Sequence, residues 1–157
     1  MTNKKLETIY FGAGCFWHVQ QTFDNTIGVI KTEVGYMGGQ VERYPNPTYE
    51  EVCSGKTNYA GTVKVVYDSN LIAFSDLLEV FWDEHNPTSK NRQGADIGSQ
   101  YRSIIFYTTE KQKNIIHESL KEKQKEHTKP IVTEIQSTKN NSFFPAEEYH
   151  QKYLERK

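Results

Sequence analysis

The sequence has 157 residues, enough for one domain to bury a hydrophobic core without crosslinks, so we expect a single domain over residues 1–157. Its 19 basic and 20 acidic residues give a net charge of -1, which argues against nucleic-acid or membrane partners. Two cysteines are too few for a secreted disulfide scaffold, and no apolar run approaches the roughly 20 residues of a membrane span, so a cytoplasmic location is expected.

The first half of the chain is predicted to alternate strands with short helices. A strand over residues 8–11 enters a glycine turn, and apolar residues then recur at helical spacing over 15–23. Thr48 and Glu51 have the spacing of a capping box, which predicts a short helix over Tyr49–Cys53. Further strands are predicted over residues 26–36 and 62–67, with a glycine-rich loop over 35–47.

The second half follows the same alternation. Ser75 is expected to cap a helix that ends near residue 85, and Thr109 with Gln112 forms a second capping box before a helix that ends near residue 127. Pro145 is expected to open a short helix in a tail that packs against the domain. Strands over 103–107 and 131–135 and a polar loop over 88–100 complete this half, with the tail over 143–154.

The strands are short and of mixed polarity, unlike the continuous apolar strands of a doubly wound parallel sheet. This pattern predicts an α+β fold, a single-domain layered sandwich with a mixed, ferredoxin-like sheet and extended loops. We find no internal repeat and no linker that would divide the chain.

Cys15 is the first candidate for chemistry. It is predicted at the first turn of a helix, where free amides and the helix dipole lower the pKa of a thiol and favour a nucleophilic thiolate. A small buried hydrophobic residue is the competing interpretation, because most lone cysteines have that role. The position of Cys15 in the chain does not decide between a nucleophile and a buried packing residue.

The same turn also has part of a dinucleotide-binding pattern, Gly12-x-Gly14 between a strand and a helix. The third glycine of that pattern would stand at position 17, where this sequence has Trp17. The dinucleotide interpretation therefore fails. Phe16 and Trp17 beside a nucleophile instead favour an apolar pocket for a small methyl-bearing group.

The motif Gly14-Cys15-Phe16-Trp17 resembles that of the A-type peptide methionine sulfoxide reductases, whose nucleophile is the cysteine. Several longer segments are similar to that family in the family's order, which makes chance agreement improbable. They are Val34-Gly35-Tyr36-Met37-Gly38-Gly39, residues 45–55, residues 91–103 and Pro145-Ala146-Glu147-Glu148-Tyr149-His150-Gln151. The resemblance extends over about residues 8–154.

The resemblance implies that the Cys15 thiolate attacks the sulfur of a methionine S-sulfoxide, free or in an oxidised protein, and keeps the oxygen as a sulfenic acid. Enzymes of this kind reduce methionine sulfoxide to methionine, with one enzyme type for each sulfoxide epimer. Tyr49 and Tyr101 would hold the sulfoxide oxygen and Asp96 would orient the site. Phe16 and Trp17 would surround the methyl group. Without the resemblance, these tyrosines would be interpreted as core or surface packing residues, and Asp96 as a turn-forming residue.

The sequence departs from the family in three ways, two of them at single positions. Gly61 stands where the family has the glutamate that acts as the principal acid, and loss of a positioned acid costs about 10² to 10⁴ in rate. His18 replaces a glycine; it could supply a proton, although a surface or core histidine is the simpler interpretation. A zinc site at Cys15-x-x-His18 is disfavoured because structural zinc needs four ligands.

The third departure is a tail without cysteine, where many family members have resolving cysteines. Cys53 belongs to a motif that we interpret as structural, so the resemblance implies no bound cofactor and an external reductant, either thioredoxin or glutathione with glutaredoxin. Two other functions stay open. The chain could be a non-catalytic binding module for oxidised methionine peptides, or a general thiol redox protein.

Overall fold

Six strands pair into one sheet in the computed structural model, which describes residues 4–153. The strands are β1 (Leu6–Gly12), β2 (Val29–Met37), β3 (Ala60–Asp68), β6 (Ile104–Tyr107), β7 (Glu134–Ser137) and β8 (Phe144–Pro145), and β4 (Arg92–Gln93) and β5 (Asp96–Ile97) form a separate ribbon. The sheet order is β7-β6-β1-β3-β2-β8. In the described part of the chain, β6 and β7 are the only parallel neighbours, so the sheet is mixed. Its β6-β1-β3-β2 core has the predicted ferredoxin-like order.

Within residues 4–153, four α-helices accompany the sheet: α1 (Phe16–Asp24), α2 (Tyr49–Cys53), α3 (Phe74–Glu84) and α4 (Glu110–Gln124). Phe11 of β1 shows how α1 and α3 pack on one face, since its ring stacks on Phe23 at 5.0 Å and on Phe81 at 4.8 Å. All three rings are fully buried, and each such burial contributes about 1.5–3 kcal/mol. The α+β layered fold predicted from the sequence is confirmed.

The capping box before α2 is formed as predicted. The Glu51 amide donates to the Thr48 hydroxyl at 3.1 Å, and the Thr48 amide donates to the Glu51 carboxylate at 2.9 Å. The strand predicted from residue 26 begins instead at Val29, because the Val29 amide bonds the carbonyl of Thr26 and closes a turn. Gly28 adopts φ +102 in that turn, a conformation that favours glycine.

Two helix starts were predicted incompletely. Ala73 rather than Ser75 is the residue before α3, so the Ser75 cap was wrong. Thr109 does cap α4, accepting from the Gln112 amide at 3.1 Å, but the Gln112 carboxamide accepts from the Thr108 amide and leaves the reciprocal half of the box unmade. Both helices end earlier than predicted, at Glu84 and Gln124.

The strand predicted over 131–135 lies at Glu134–Ser137 instead. The Ile131 amide donates to the Gln124 side chain and the Val132 amide donates to the Pro87 carbonyl. These two amides are therefore not available for pairing with β6. The loop over 88–100 also contains β4, β5 and part of a 3₁₀ turn, Ser99–Tyr101.

The tail packs against the domain, as predicted, but not as a helix. It forms strand β8, which ends at Pro145, and then a 3₁₀ turn at Glu148–His150. Leu154 of the predicted segment lies outside the described residues. Gln151 bonds both the amide and the carbonyl of Val34 at 2.9 Å. Within residues 4–153, no helix combines the length and hydrophobicity needed to cross a bilayer.

The strand directions bring distant segments to one edge of the sheet. β1 ends there at Gly12, which pairs with Ile104 at the start of β6. The start of β3 is at the same edge, where Gly61 pairs with Tyr36 near the end of β2. The turn into α1 and the 3₁₀ turn before β6 therefore meet beside Gly61.

Candidate active site

A cavity of about 240 Å³ lies at this edge of the sheet. Every residue predicted for the site lines it: Cys15, Phe16, Trp17, Tyr49, Gly61, Asp96 and Tyr101. Gly14, Tyr36, Val52, Cys53 and Gln100 complete the lining. Residues that are far apart in the sequence thus face one space large enough for a side chain such as methionine sulfoxide.

Cys15 stands immediately before the first residue of α1. Gly14 makes the turn into the helix with φ +95, a value that an L residue rarely adopts. The Cys15 side chain makes no cap hydrogen bond of ordinary geometry, yet the amides of Trp17 and His18 face its sulfur and favour the thiolate.

The net effect on the thiol differs from the sequence prediction. Burial, with a smaller contribution from the charge of Asp96, raises the pKa of Cys15 despite the two helix amides. The prediction of a lowered pKa was therefore wrong, because it considered the helix end without the desolvation of a partly buried sulfur. Cys15 rests mainly as a thiol at neutral pH.

One wall of the cavity is aromatic. Phe16 is buried, with its ring 5.9 Å from that of Tyr36 and 6.4 Å from that of Tyr49. The Trp17 indole N–H donates to Nδ1 of His150 at 3.1 Å, and its ring stacks on Tyr153 at 4.0 Å. The tail thereby holds both rings in place beside Cys15.

The tyrosine hydroxyls supply the polar groups of the cavity. Burial, followed by a hydrogen bond to the side chain of Cys53, raises the pKa of Tyr49. Burial and the nearby charges of Cys53 and Asp96 likewise raise the pKa of Tyr101. Both phenols stay protonated at neutral pH, so they can act as hydrogen-bond donors but are weak acids.

Glu147 supports this wall and was given no role by the sequence reasoning. Its carboxylate accepts from the Tyr36 hydroxyl at 2.9 Å and from the Tyr49 amide at 3.0 Å. Burial raises the pKa of Glu147, but these hydrogen bonds outweigh it and the net pKa is lowered. The available signal was the 145–151 motif, which identified the segment without indicating its contacts.

Gly61 faces the cavity from β3. A Cβ atom built on Gly61 would lie 3.5 Å from the Gln100 carbonyl oxygen and 3.5 Å from the Phe16 ring, which is ordinary van der Waals contact. Gly61 is also absent from the residues with positive φ. A side chain at this position would therefore enter the cavity without backbone strain.

Three further residues complete the description. Asp96 is exposed at the ribbon and lines the cavity. Cys53 is also exposed and lines the same cavity, so its interpretation as a packing residue was wrong. His18 is exposed and lines a second cavity that also adjoins Cys15. Within residues 4–153, no three His, Cys, Asp or Glu side chains are grouped to hold a metal ion.

Comparison with known proteins identifies the family of the chain. Residues 7–157 match the family model "Peptide methionine sulfoxide reductase". The chain is 52% identical over 151 residues to "Peptide methionine sulfoxide reductase MsrA" of Methanococcus maripaludis strain C7, covering 96% of this chain and 93% of the relative.

Two solved structures have the same fold. The reduced form of Mxr1 from Saccharomyces cerevisiae superposes with a TM-score of 0.90 at 31% identity, covering 97% of this chain and 86% of that one. Methionine sulfoxide reductase A of Corynebacterium diphtheriae superposes with a TM-score of 0.84 at 35% identity, covering 96% and 74%. The chain belongs to the peptide methionine sulfoxide reductase family, in the MsrA branch that these relatives represent.

Proposed function

We propose that this protein reduces methionine S-sulfoxide, free or in oxidised proteins, to methionine, with Cys15 as the nucleophile. The observation that carries the proposal is the placement of a thiol, two phenol hydroxyls and two aromatic rings around one cavity of about 240 Å³. The thiol supplies electrons, the hydroxyls can bind an oxygen, and the rings can contact a methyl group.

The chemistry follows from the charge that develops on the substrate. When the Cys15 thiolate attacks the sulfoxide sulfur, the oxygen gains negative charge, and Tyr49 and Tyr101 donate hydrogen bonds to it. Asp96 orients the substrate at the ribbon side, while Phe16 and Trp17 surround the methyl group. Methionine leaves, and the oxygen remains on Cys15 as a sulfenic acid.

Catalysis is impaired by Gly61. The sulfoxide oxygen must be protonated as the sulfur–oxygen bond to methionine breaks, and Gly61 has no side chain to supply the proton. The tyrosine hydroxyls are poor substitutes, since burial raises the pKa of both Tyr49 and Tyr101. A missing positioned acid corresponds to a loss of about 10² to 10⁴ in rate, which makes proton transfer the slow step.

The enzyme is returned to its thiol form by an external reductant, either thioredoxin or glutathione with glutaredoxin. Mxr1, the yeast relative, has also been solved in complex with Trx2, which supports a reductant of the thioredoxin kind. No bound cofactor is needed, because a thiol and a sulfenic acid form a disulfide and water without further oxidant.

The proposed function is tested by incubating the protein with the separate S and R epimers of a methionine sulfoxide peptide, without reductant. We expect one oxygen atom to be added to Cys15 with the S epimer only, located by mass spectrometry after trapping with dimedone. Binding of the S epimer without any oxidation of Cys15 would instead identify a non-catalytic binding module. Equal oxidation by both epimers and by hydrogen peroxide would identify a general thiol redox protein.

The role of the hydroxyls is tested by the double variant Tyr49→Phe/Tyr101→Phe, which keeps the rings. Single-turnover oxidation of Cys15 by the sulfoxide is expected to fall by about 10²-fold or more, the effect of losing donors to a developing oxyanion. Tyr10→Phe, on the other face of the sheet, is the matched control. Oxidation as fast in the double variant as in the parent would exclude these hydroxyls as the oxygen-binding groups.

A further inference from the structure

The opening of the candidate substrate cavity lies between α2 and the ribbon. Among the residues that line the cavity, Cys53 of α2 and Asp96 of β5 are exposed, whereas the others are buried or half-buried. With a volume of about 240 Å³, the cavity has room for one substrate side chain. The rest of a polypeptide that presents this side chain must therefore lie outside the cavity, across the opening between Cys53 and Asp96.

We infer that Tyr149, with Glu50 beside it, forms a contact site at this opening for the residue next to methionine sulfoxide in a polypeptide, and that the site favours a basic residue there. The inference rests on the proposed function, because the cavity must hold the sulfoxide side chain. It assigns a substrate class, oxidised methionine next to lysine or arginine, and gives a role to two residues that the sulfoxide chemistry does not use.

The contacts of the Tyr149 hydroxyl place it on the α2 side of the opening. Its oxygen lies 3.5 Å from Oε2 of Glu147, and the Tyr49 amide donates to the same carboxylate oxygen at 3.0 Å. The Tyr149 hydroxyl also interacts electrostatically with Cys53 and Tyr36, which both line the cavity. Tyr149 itself is not part of the lining. Its hydroxyl is therefore at the rim of the cavity.

The Tyr149 ring is fixed in place and still available to a ligand. Its centroid is 4.1 Å from that of the His150 ring, while Tyr149 as a whole stays 57% exposed. His150 is buried, its ring is 4.4 Å from that of Tyr49, and its Nδ1 accepts from the Trp17 indole at 3.1 Å. A tyrosine held in this way offers contact area at a small cost in conformational entropy.

The surroundings of Tyr149 are acidic. The exposed Glu50 interacts electrostatically with the Tyr149 hydroxyl, and the Glu147 carboxylate lies on the same side of the opening. Asp96 adds an acidic group on the opposite side. Lys152, further along the tail, is already in a salt bridge of 2.8 Å. A cation over the exposed ring would be attracted both by the ring quadrupole and by these acidic groups.

The test compares substrates that differ only in what flanks the sulfoxide. One is the S-sulfoxide of N-acetylmethionine methylamide, which has no flanking side chain. The others are two pentapeptides with the S-sulfoxide at the centre, flanked on both sides by lysine or by glutamate. Single-turnover oxidation of Cys15, without reductant, is measured over a range of concentrations. Each titration gives a half-saturating concentration and a limiting rate.

The variants separate the ring from the charge. Tyr149→Ala removes the ring, Tyr149→Phe keeps it, and Glu50→Gln removes the acidic group. Ile27→Ala is the control for loss of an exposed apolar side chain, because Ile27 is 88% exposed and precedes β2, at the end of that strand away from the cavity. Glu118→Gln is the control for charge, at an exposed glutamate of α4, a helix that contributes no residue to the cavity.

We expect the parent to have a half-saturating concentration about fivefold lower for the lysine peptide than for the glutamate peptide, the size of an exposed cation–π contact. Tyr149→Ala and Glu50→Gln should each raise the value for the lysine peptide by about threefold or more. The value for the methylamide and all limiting rates should stay at the parent level, as should every value for Tyr149→Phe and the controls. Added salt should weaken the preference for lysine, because it screens exposed charges.

Equal losses with all three substrates would overturn the inference, because they would mean that Tyr149 only supports the cavity wall. No change in either Tyr149→Ala or Glu50→Gln, or equal values for the two peptides in the parent, would also overturn it. If no substrate oxidises Cys15 in the parent, the proposed function fails instead. Calorimetric binding of the peptides to Cys15→Ser protein then tests the contact site by itself, since preferential binding of the lysine peptide that Tyr149→Ala removes supports it and its absence overturns it.

Discussion

Cys15→Ser is expected to abolish sulfoxide-dependent formation of methionine, by about 10⁴-fold or more, as removal of a covalent nucleophile does. A serine hydroxyl cannot replace the thiolate, because it neither ionises near neutrality nor forms a stable oxidised product. The assay measures methionine released with dithiothreitol as reductant. Unchanged turnover in the Cys15 variant would remove the nucleophile assignment.

Cys53→Ser is the matched control. Cys53 lines the same cavity but is exposed and stands at the end of α2, without a helix start beside it. We expect it to retain most of the activity. A large loss in a Cys53→Ser variant that melts at the parent temperature would show that this thiol takes part in the reaction.

The pH dependence of the first step follows from the state of Cys15. Burial raises the pKa of this thiol, so at neutral pH the folded protein contains less thiolate than a free cysteine peptide does. The single-turnover rate should therefore rise with pH and level off only above the midpoint measured for that peptide. A midpoint below that of the peptide would mean that the amides of Trp17 and His18 outweigh burial.

Gly61→Glu is expected to raise the single-turnover rate by about 10² or more, the usual contribution of a positioned acid. The structure makes the substitution feasible, since a Cβ at this position meets only ordinary contacts at 3.5 Å and the backbone has no positive φ. The substitution adds a carboxyl group on β3 beside the Phe16 ring, where the parent protein has no side chain.

The rate gain from Gly61→Glu should decrease as pH rises, whereas the thiolate fraction of Cys15 increases. A carboxyl next to the Phe16 ring is partly desolvated, which raises its pKa and keeps part of it protonated near neutrality. Since only the protonated form donates, the ratio of Gly61→Glu to parent rates should fall as pH rises through that pKa. This ratio cancels the contribution of Cys15 ionisation, which is common to both proteins.

Gly61→Gln is the control for shape, because it fills the same space without an ionisable acid. Omitting the reductant isolates the chemical step, so that slow regeneration cannot hide the gain. A folded Gly61→Glu protein that oxidises Cys15 no faster than Gly61→Gln would show that solvent or another group already supplies the proton.

Local signals in the sequence were sufficient for much of the fold. The helix after Gly14 and the capping box of Thr48 and Glu51 were predicted correctly, because each depends on a few adjacent residues. The predictions were wrong where hydrogen-bond partners distant in the sequence determine the secondary structure. Residues 131–133 have the pattern of a strand, but the hydrogen-bond partners of Ile131 and Val132 are Gln124 and Pro87. Pro145 lies at the end of a short strand because it pairs with Gly35 of β2.

The sequence by itself also identified candidate site residues, since the family resemblance pointed to Cys15, Tyr49 and Tyr101 before any contact was known, and all three line the cavity. Only the tertiary structure decided their electrostatics. The pKa of Cys15 depends on how much protein covers the sulfur, and the Glu147 contacts with Tyr36 and Tyr49 join segments about a hundred residues apart. Desolvation and long-range hydrogen bonds arise from packing in three dimensions, which no local pattern of residues specifies.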